Sequence, residues 1–455
     1  MSITRRKALL AATVVATSVA LTACSGPSTA SPGDSSASPS ASSGIDFTGV
    51  KPAKSITFWS ADPGGSKDVI DEVIKGFTAK TGIAVQHVST SSYEDTAQKF
   101  QAAQAAGGKD LPDVATLSDV WWFRFKMNDQ IIPLDSVMDA AGIDPATYNP
   151  VFFGDYQYDG SQWGIPLARS TPMFYYNKAD WAAAGLPDRA PATWQEFAQW
   201  APKLQAVNGG APAYEWPDIA GYAGWIGQDL LWGWGGGWSK KDSFDITADQ
   251  DANVTALKFM QDSIFKDKWA AQAAKDATAD LVAKGTSSTI ASAGSFIGIA
   301  KALDTAGKPF ELGSGPLPGG PEATTNVAPT GGTGVSIVAG KSKENQLAAA
   351  EFIAYLTNPE NAVKFSEATG YIPVRTDADT TDLFAKYPTI GQAFEQAKVS
   401  RSQDFARVYL PGGDQEMNKA IQSITTSADT DPKKALGDLQ TSLQKIYDDS
   451  VKPNL

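Results

Sequence analysis

A single cysteine, Cys24, and a single histidine, His87, stand among 455 residues, and that scarcity removes most of the side chains on which catalysis rests. No CxxC pair, HExxH helix, GxSxG elbow or GxxxxGKS/T loop is present, so zinc sites, serine hydrolysis and nucleotide hydrolysis lose their usual groups. Ser-His-Asp catalysis could be built only around His87, which sits in a strand-like run from Ile83 to Val88 where a satisfied or solvent-facing imidazole is the plainer reading. No cofactor and no metal site is expected. Beyond Arg5-Arg6-Lys7, clusters of Lys and Arg are also missing, which argues against nucleic acid as a partner because phosphate backbones require a basic surface. Among enzyme mechanisms only a carboxylate pair, as in glycoside hydrolysis, finds its residues in quantity, and plentiful Asp and Glu equally describe an acidic surface.

What is present begins at the N-terminus. Arg5-Arg6-Lys7, an apolar stretch from Ala8 to Ala20 and Leu21-Thr22-Ala23-Cys24 make an export leader over residues 1–23, too short to be a stable membrane span. Leu-x-Ala-Cys resembles the lipobox, in which the thiol is acylated and becomes the new N-terminus, so Cys24 is read as a lipid anchor on the outer face of the cell membrane. Thr4-Arg5-Arg6 resembles a twin-arginine signal, but Ala8 stands where that pattern prefers a bulky apolar residue, and the export route stays open. From Ser25 to Gly44 every residue is Ser, Gly, Pro, Thr, Ala or Asp, a composition that cannot offset the entropy of ordering. Residues 24–53 therefore read as a tether, with a reach on the order of 30 Å. Loss of Arg5, Arg6 and Lys7 with the leader takes the net charge from −12 to −15.

The remaining body, about 400 residues, exceeds one comfortable core and predicts two domains. Its start alternates. Ser55 to Trp59 reads as a strand; Val69, Ile70, Val73, Ile74 and Phe77 mark one face of a helix that stops at Gly82; Ile83 to Val88 is a second strand. A helix from about Tyr93 to Ala106 leads to a third strand, Leu111 to Leu117. This β-α-β-α-β order predicts an α/β fold with a largely parallel sheet, whose ligands bind beyond the carboxyl ends of the strands, among loops that hold Asp62, Tyr93 and Asp119. Later, Thr193 with Glu196, Asn358-Pro359 and Asp431-Pro432 read as helix starts.

These landmarks carry a resemblance. Ile56 to Trp59, Phe77 to Val85 and Leu111 to Val114, then Gly164-Ile165-Pro166, Tyr175 to Lys178, Pro191 to Glu196, and finally Thr369 to Arg375, resemble in order the blocks of family 1 extracellular solute-binding proteins, the substrate receptors of ABC importers. The resemblance implies a two-lobed clamp that binds its ligand in the cleft without turnover, as a monomer working with ABC permease subunits. It implies lobe one at 54–168 plus 311–342 and lobe two at 169–310 plus 343–455, with crossings near Leu167 to Ser170, Ser314 to Pro318, and Gly340.

Between Tyr214 and Trp238 lie Trp216, Tyr222, Trp225, Trp232 and Trp234, interleaved with glycines. Rings brought to a concave surface can stack on the apolar face of a sugar, while about half of these rings are expected in the core. Gly221 to Ile226 resembles the ligand-facing segment of glycerol-3-phosphate-binding members, which points to Tyr222 and Trp225. The same resemblance adds Tyr93, Asp119, Ser170, Ser295, Gly332 and Tyr371, a set suited to a polyol because hydroxyls, a carboxylate and an open amide can pair its donors and acceptors. One departure stands out. Where that subfamily holds its phosphate with an arginine, the alignment puts Gln415, with Arg407 close enough to substitute. The expected ligand is therefore a neutral sugar or short oligosaccharide, with glycerol phosphate or a glycerophosphodiester as the alternative.

Overall fold

The computed structural model describes residues 45–62 and 66–455, with side chains throughout except at residues 219–223. Cys24 and the leader and most of the tether around it lie outside the described residues, as does the side chain of Tyr222.

The described strands are β1 (Ser55–Ala61), β2 (Ala84–Thr90), β3 (Val114–Ser118), β4 (Gln157–Tyr158), β5 (Ser161–Gln162), β6 (Ile165–Ser170), β7 (Pro172–Asn177), β8 (Tyr214–Trp216), β9 (Ala270–Gln272), β10 (Ser288–Ser292), β11 (Leu312–Gly315) and β12 (Gly331–Ile337). They build one sheet in the order β2-β1-β3-β12-β6, a second in the order β11-β7-β10-β8-β9, and the hairpin β4-β5. In the first sheet β1 runs parallel to β2 and β3, and β12 runs antiparallel to β3 and β6.

Local signals explain the N-terminal elements. The helix Ser66–Thr81 buries Val69, Ile70, Val73, Ile74 and Phe77, a stripe at helical spacing that must face the sheet. Gly82 follows it with φ +75, the left-handed conformation that ends helices. In the helix Tyr93–Ala105 the Ser92 hydroxyl accepts from the Asp95 amide, a cap worth about 1 kcal/mol. The third strand begins at Val114 rather than Leu111, since Pro112 has no N–H for the ladder. Thr193 caps the helix Trp194–Val207, while Glu196 reaches back to the Ala192 amide at 2.6 Å.

The chain passes from the first sheet to the second between Ser170 and Pro172, and returns between Gly315 and Gly331. Two segments lie elsewhere than the sequence resemblance implied. Residues 312–315, assigned to lobe one, form β11 and pair with β7 in the second sheet. Glycine makes this pairing possible: a Cβ at Gly313 would lie 2.2 Å from the Tyr176 ring. Residues 343–369, assigned to lobe two, cover the first sheet instead. The helix Lys343–Leu356 packs on β1, the helix Ser66–Thr81 and the helix Asp135–Ala141, and Phe352 meets Phe58 edge-on at 5.2 Å. No crossing occurs at Gly340. The chain rejoins the second sheet only later, where the helix Pro388–Ala397 lies against β11, and the helix Gly413–Thr426 packs on Ile219–Gly233.

Candidate ligand-binding site

Where the carboxyl ends of β2 and β3 face the start of β12 and the helix Phe296–Thr305, the structure opens a cavity of about 620 Å³. Tyr93, Asp119, Ser170 and Trp225 line it, as do Ser295, Gly332, Tyr371 and Arg407. Residues hundreds of positions apart therefore meet at one place.

The wall begins with backbone. Gly332 stands opposite Arg169 in the β6–β12 ladder, and its carbonyl accepts from the Asp119 amide at 3.1 Å. Its φ is +121, and a Cβ there would lie 1.9 Å from the Ala168 carbonyl oxygen, so only glycine fits. Next to it, Gly331 lies under the Trp225 indole, which a Cβ would approach to 2.6 Å, and the indole Nε1 donates to the Thr330 carbonyl at 2.8 Å. Ser292, at the end of β10, donates to Ser170 at 3.0 Å and accepts from the Gly294 amide. Tyr371 follows the left-handed Gly370. Its ring stacks on Phe365, and its hydroxyl lies 2.9 Å from that of Tyr93.

Charge concentrates at the other end. Arg407, on the short helix Phe405–Val408, donates from Nη1 to the Gln403 side-chain oxygen Oε1, and Gln403 donates from Nε2 to Asp119. Arg407 and Asp119 are themselves 3.9 Å apart. Asp414 completes the wall; burial pushes its carboxyl above the usual range, Arg407 opposes the shift and Asp119 reinforces it.

Asp62 departs from the sequence expectation and does not line this cavity. It accepts from Ser60 at 2.8 Å and faces His87 Nε2 at 3.4 Å, because the parallel pairing of β1 with β2 sets His87 level with Phe58, two residues before Ser60. The imidazole is satisfied on both sides, with Nδ1 2.7 Å from Asp71 and Nε2 2.6 Å from Ser60. The aromatic segment also lies deeper than expected. Trp216, Trp232, Trp234 and Trp238 are all under 10% exposed, and three of their indole N–H groups are paired inside: with Ser263, Asp404 and the Gly224 carbonyl. Gln415 is not among the cavity residues; Arg407 is. Among the described residues, no group of three His, Cys, Asp or Glu side chains is placed to hold a metal ion.

A larger cavity, of about 1000 Å³, lies between β11 and the helix Pro388–Ala397. Size does not make it the better candidate. Its charged groups are already paired, Lys178 with Glu311 and Asp188, Arg189 with Glu196 and Glu395 with Lys398, and its Gln396 amide is taken up by the Leu317 N–H and the Pro172 carbonyl.

Residues 72–392 match the family model described as bacterial extracellular solute-binding protein. The chain belongs to that family. Its members are the substrate-binding components of ABC importers, with a two-lobed α/β fold. UgpB of Mycobacterium tuberculosis, solved in complex with glycerophosphocholine, is 38% identical, with a TM-score of 0.79 over 87% of this chain and 99% of that one. The sn-glycerol-3-phosphate-binding periplasmic protein UgpB of Salmonella typhimurium is 29% identical over 353 residues, 73% of this chain and 77% of the relative. Maltose-bound MalE3 of T. maritima, 22% identical, superposes with a TM-score of 0.74 over 87% of this chain and all of that one, a likeness of fold alone. Within this solute-binding protein, sequence reasoning overlooked Gln403 and Asp414. Asp414 was adjacent to the residue the alignment singled out; Gln403 had no local signal, since its role depends on partners distant in the chain.

Proposed function

We propose that this protein is a lipid-anchored receptor, tethered through Cys24 to the outer face of the cell membrane, that delivers a glycerophosphodiester of zero net charge, such as glycerophosphocholine, to ABC permease subunits. One observation carries the choice of ligand: a single guanidinium, Arg407, shares the cavity wall with the carboxyl groups of Asp119 and Asp414, 3.9 Å from the first. A phosphate needs that guanidinium. A phosphomonoester dianion would also bring two negative charges against two carboxyl groups, an unfavourable burial. A diester brings one charge, and a cationic head group offsets it. The 38% identity with a glycerophosphocholine-bound relative supports the same reading. The glycerol hydroxyls would pair with Tyr93, Tyr371, Ser170 and Asp119, against the edge of Trp225.

A neutral sugar is the second reading, favoured by the hydroxyls of Tyr93, Ser170, Ser295 and Tyr371, which share the cavity with Asp119. Calorimetric titration with glycerophosphocholine, glycerol 3-phosphate and maltotriose separates the two. Tight binding of glycerophosphocholine that weakens by about 2 to 5 kcal/mol in Arg407→Ala fits the diester. Binding of maltotriose alone, reduced by only about 1 kcal/mol in that variant, would replace it with the sugar.

A further inference from the structure

Gln403 lies between the two charged groups of the cavity, and its amide has a fixed direction. At one end the Asp404 backbone N–H, which can only donate, meets Gln228 Oε1 at 2.9 Å. That turns Gln228 Nε2 toward Gln403 Oε1, at 3.1 Å, with a second bond to the Trp225 carbonyl at 3.3 Å. Gln403 Oε1 then also accepts from Arg407 Nη1, and Gln403 Nε2 is left to donate to Asp119 Oδ2. A donor at one end and a carboxylate at the other require the same orientation of both amides. The relay is dry: Gln228 is 0% exposed, Gln403 6%, Asp119 7% and Arg407 7%.

We propose, resting on the reading of this cavity as the ligand site, that Gln403 is the positioning residue that keeps Arg407 and Asp119 available to the ligand by holding them apart. Their nearest charged atoms are 3.9 Å from each other, a distance that a small side-chain rotation would close. A direct guanidinium–carboxylate pair is short and forked, and once formed it would leave both groups satisfied by each other. With the Gln403 amide between them, each gives it one hydrogen bond or receives one. Arg407 Nε remains buried with no partner, and Asp119 Oδ1 has no hydrogen bond among the described residues. The pair thus offers donors and an acceptor side by side, the arrangement that a phosphodiester next to a hydroxyl calls for. Gln228 acts one step further back, because it fixes which end of the Gln403 amide faces Asp119.

The test is a crystal structure of ligand-free wild type and of Gln403→Met, which keeps the length of the side chain without its polar atoms, together with titration of both by glycerophosphocholine. In the variant, Arg407 and Asp119 should close to hydrogen-bonding distance, and affinity should fall at least tenfold. A separation unchanged from wild type, or an affinity within twofold of it, would overturn the proposal. If wild type binds no glycerophosphocholine while the pair closes in Gln403→Met, the ligand reading fails and the positioning role of Gln403 stands. Should Gln403→Met not fold, Gln228→Met is read by the same two measurements. It removes no group from the cavity wall, and closure of the pair with a loss of affinity supports the relay, whereas wild-type geometry and affinity refute it.

Discussion

The hydroxyls of Tyr93 and Tyr371, 278 residues apart in sequence, lie 2.9 Å from one another across the cavity. Tyr93 opens the helix after β2, and Tyr371 follows the helix Pro359–Thr369, whose C-terminal Gly370 turns the ring over Gly294. The pair joins the first sheet's loops to the segment that leads back to the second. Removing either hydroxyl should cost ligand affinity about 1 kcal/mol, roughly fivefold. Titration of Tyr93→Phe, Tyr371→Phe and the double variant should show losses that do not add, because the two groups share a bond.

Trp225 serves both the cavity and the core. It lines the cavity yet is only 5% exposed, packed on Gly331 and hydrogen-bonded to Thr330. Trp225→Ala should lower stability by about 3 to 5 kcal/mol, as truncation of a buried indole does. Trp225→Phe, which keeps an aromatic ring and loses the N–H, should lose about 1 kcal/mol. Urea unfolding gives both numbers; an unchanged midpoint in Trp225→Ala would mean that the ring is not part of the core.

Gly332→Ala should be severe. The added methyl meets the Ala168 carbonyl oxygen at 1.9 Å, at a φ of +121 that L-residues avoid. Relief requires β6 and β12 to part, and the Asp119 amide bonds to the same glycine. A loss of at least about 2 kcal/mol is expected in urea unfolding, together with weaker ligand binding.

His87 predicts a pH dependence. Burial lowers its pKa, but the bonds and charges of Asp62 and Asp71 outweigh burial and leave it raised above 6.5. A raised imidazole pKa contributes stability that is fully present below about 6.5 and lost as pH rises through the folded-state value. Wild type should therefore lose stability relative to His87→Gln as pH rises above about 6.5. Since the chain has one histidine, its imidazole gives a single NMR titration curve, and a midpoint below 6.5 would contradict the double carboxylate contact.

Cys24→Ser should release the protein from the membrane fraction with ligand affinity intact, because the thiol proposed as anchor and the cavity lie on separate segments. Fractionation of cells expressing each form reads the outcome; retention of Cys24→Ser in the membrane would count against lipidation.

Much of the cavity was legible before the fold was. Tyr93, Asp119, Ser170, Ser295, Gly332, Tyr371 and Arg407 were accessible through ordered motifs, since a binding segment keeps its short pattern of turn and polar residues next to a strand end. Asp62 misled because it has the same position relative to β1 that a site residue would have, and only the pairing of β1 with β2 puts His87 beside it. How many of the other tryptophans lie in the core was not legible for a similar reason: glycine-spaced rings fit a cleft wall or a core equally well, and burial depends on what packs above them.

By itself, the sequence determined the elements whose signals are local: the apolar stripe from Val69 to Phe77, the caps at Thr193 and Asn358, and the left-handed stops at Gly82 and Gly370. These follow from periods of 2 and 3.6 and from hydrogen bonds within one turn. Only the tertiary structure decided that β11 joins the second sheet, that residues 343–369 cover the first, and that Gln403 stands between Asp119 and Arg407. Each depends on the close approach of segments far apart in the chain, Gly313 against Tyr176 or Phe352 against Phe58, and no local pattern encodes which distant surface a buried face will meet.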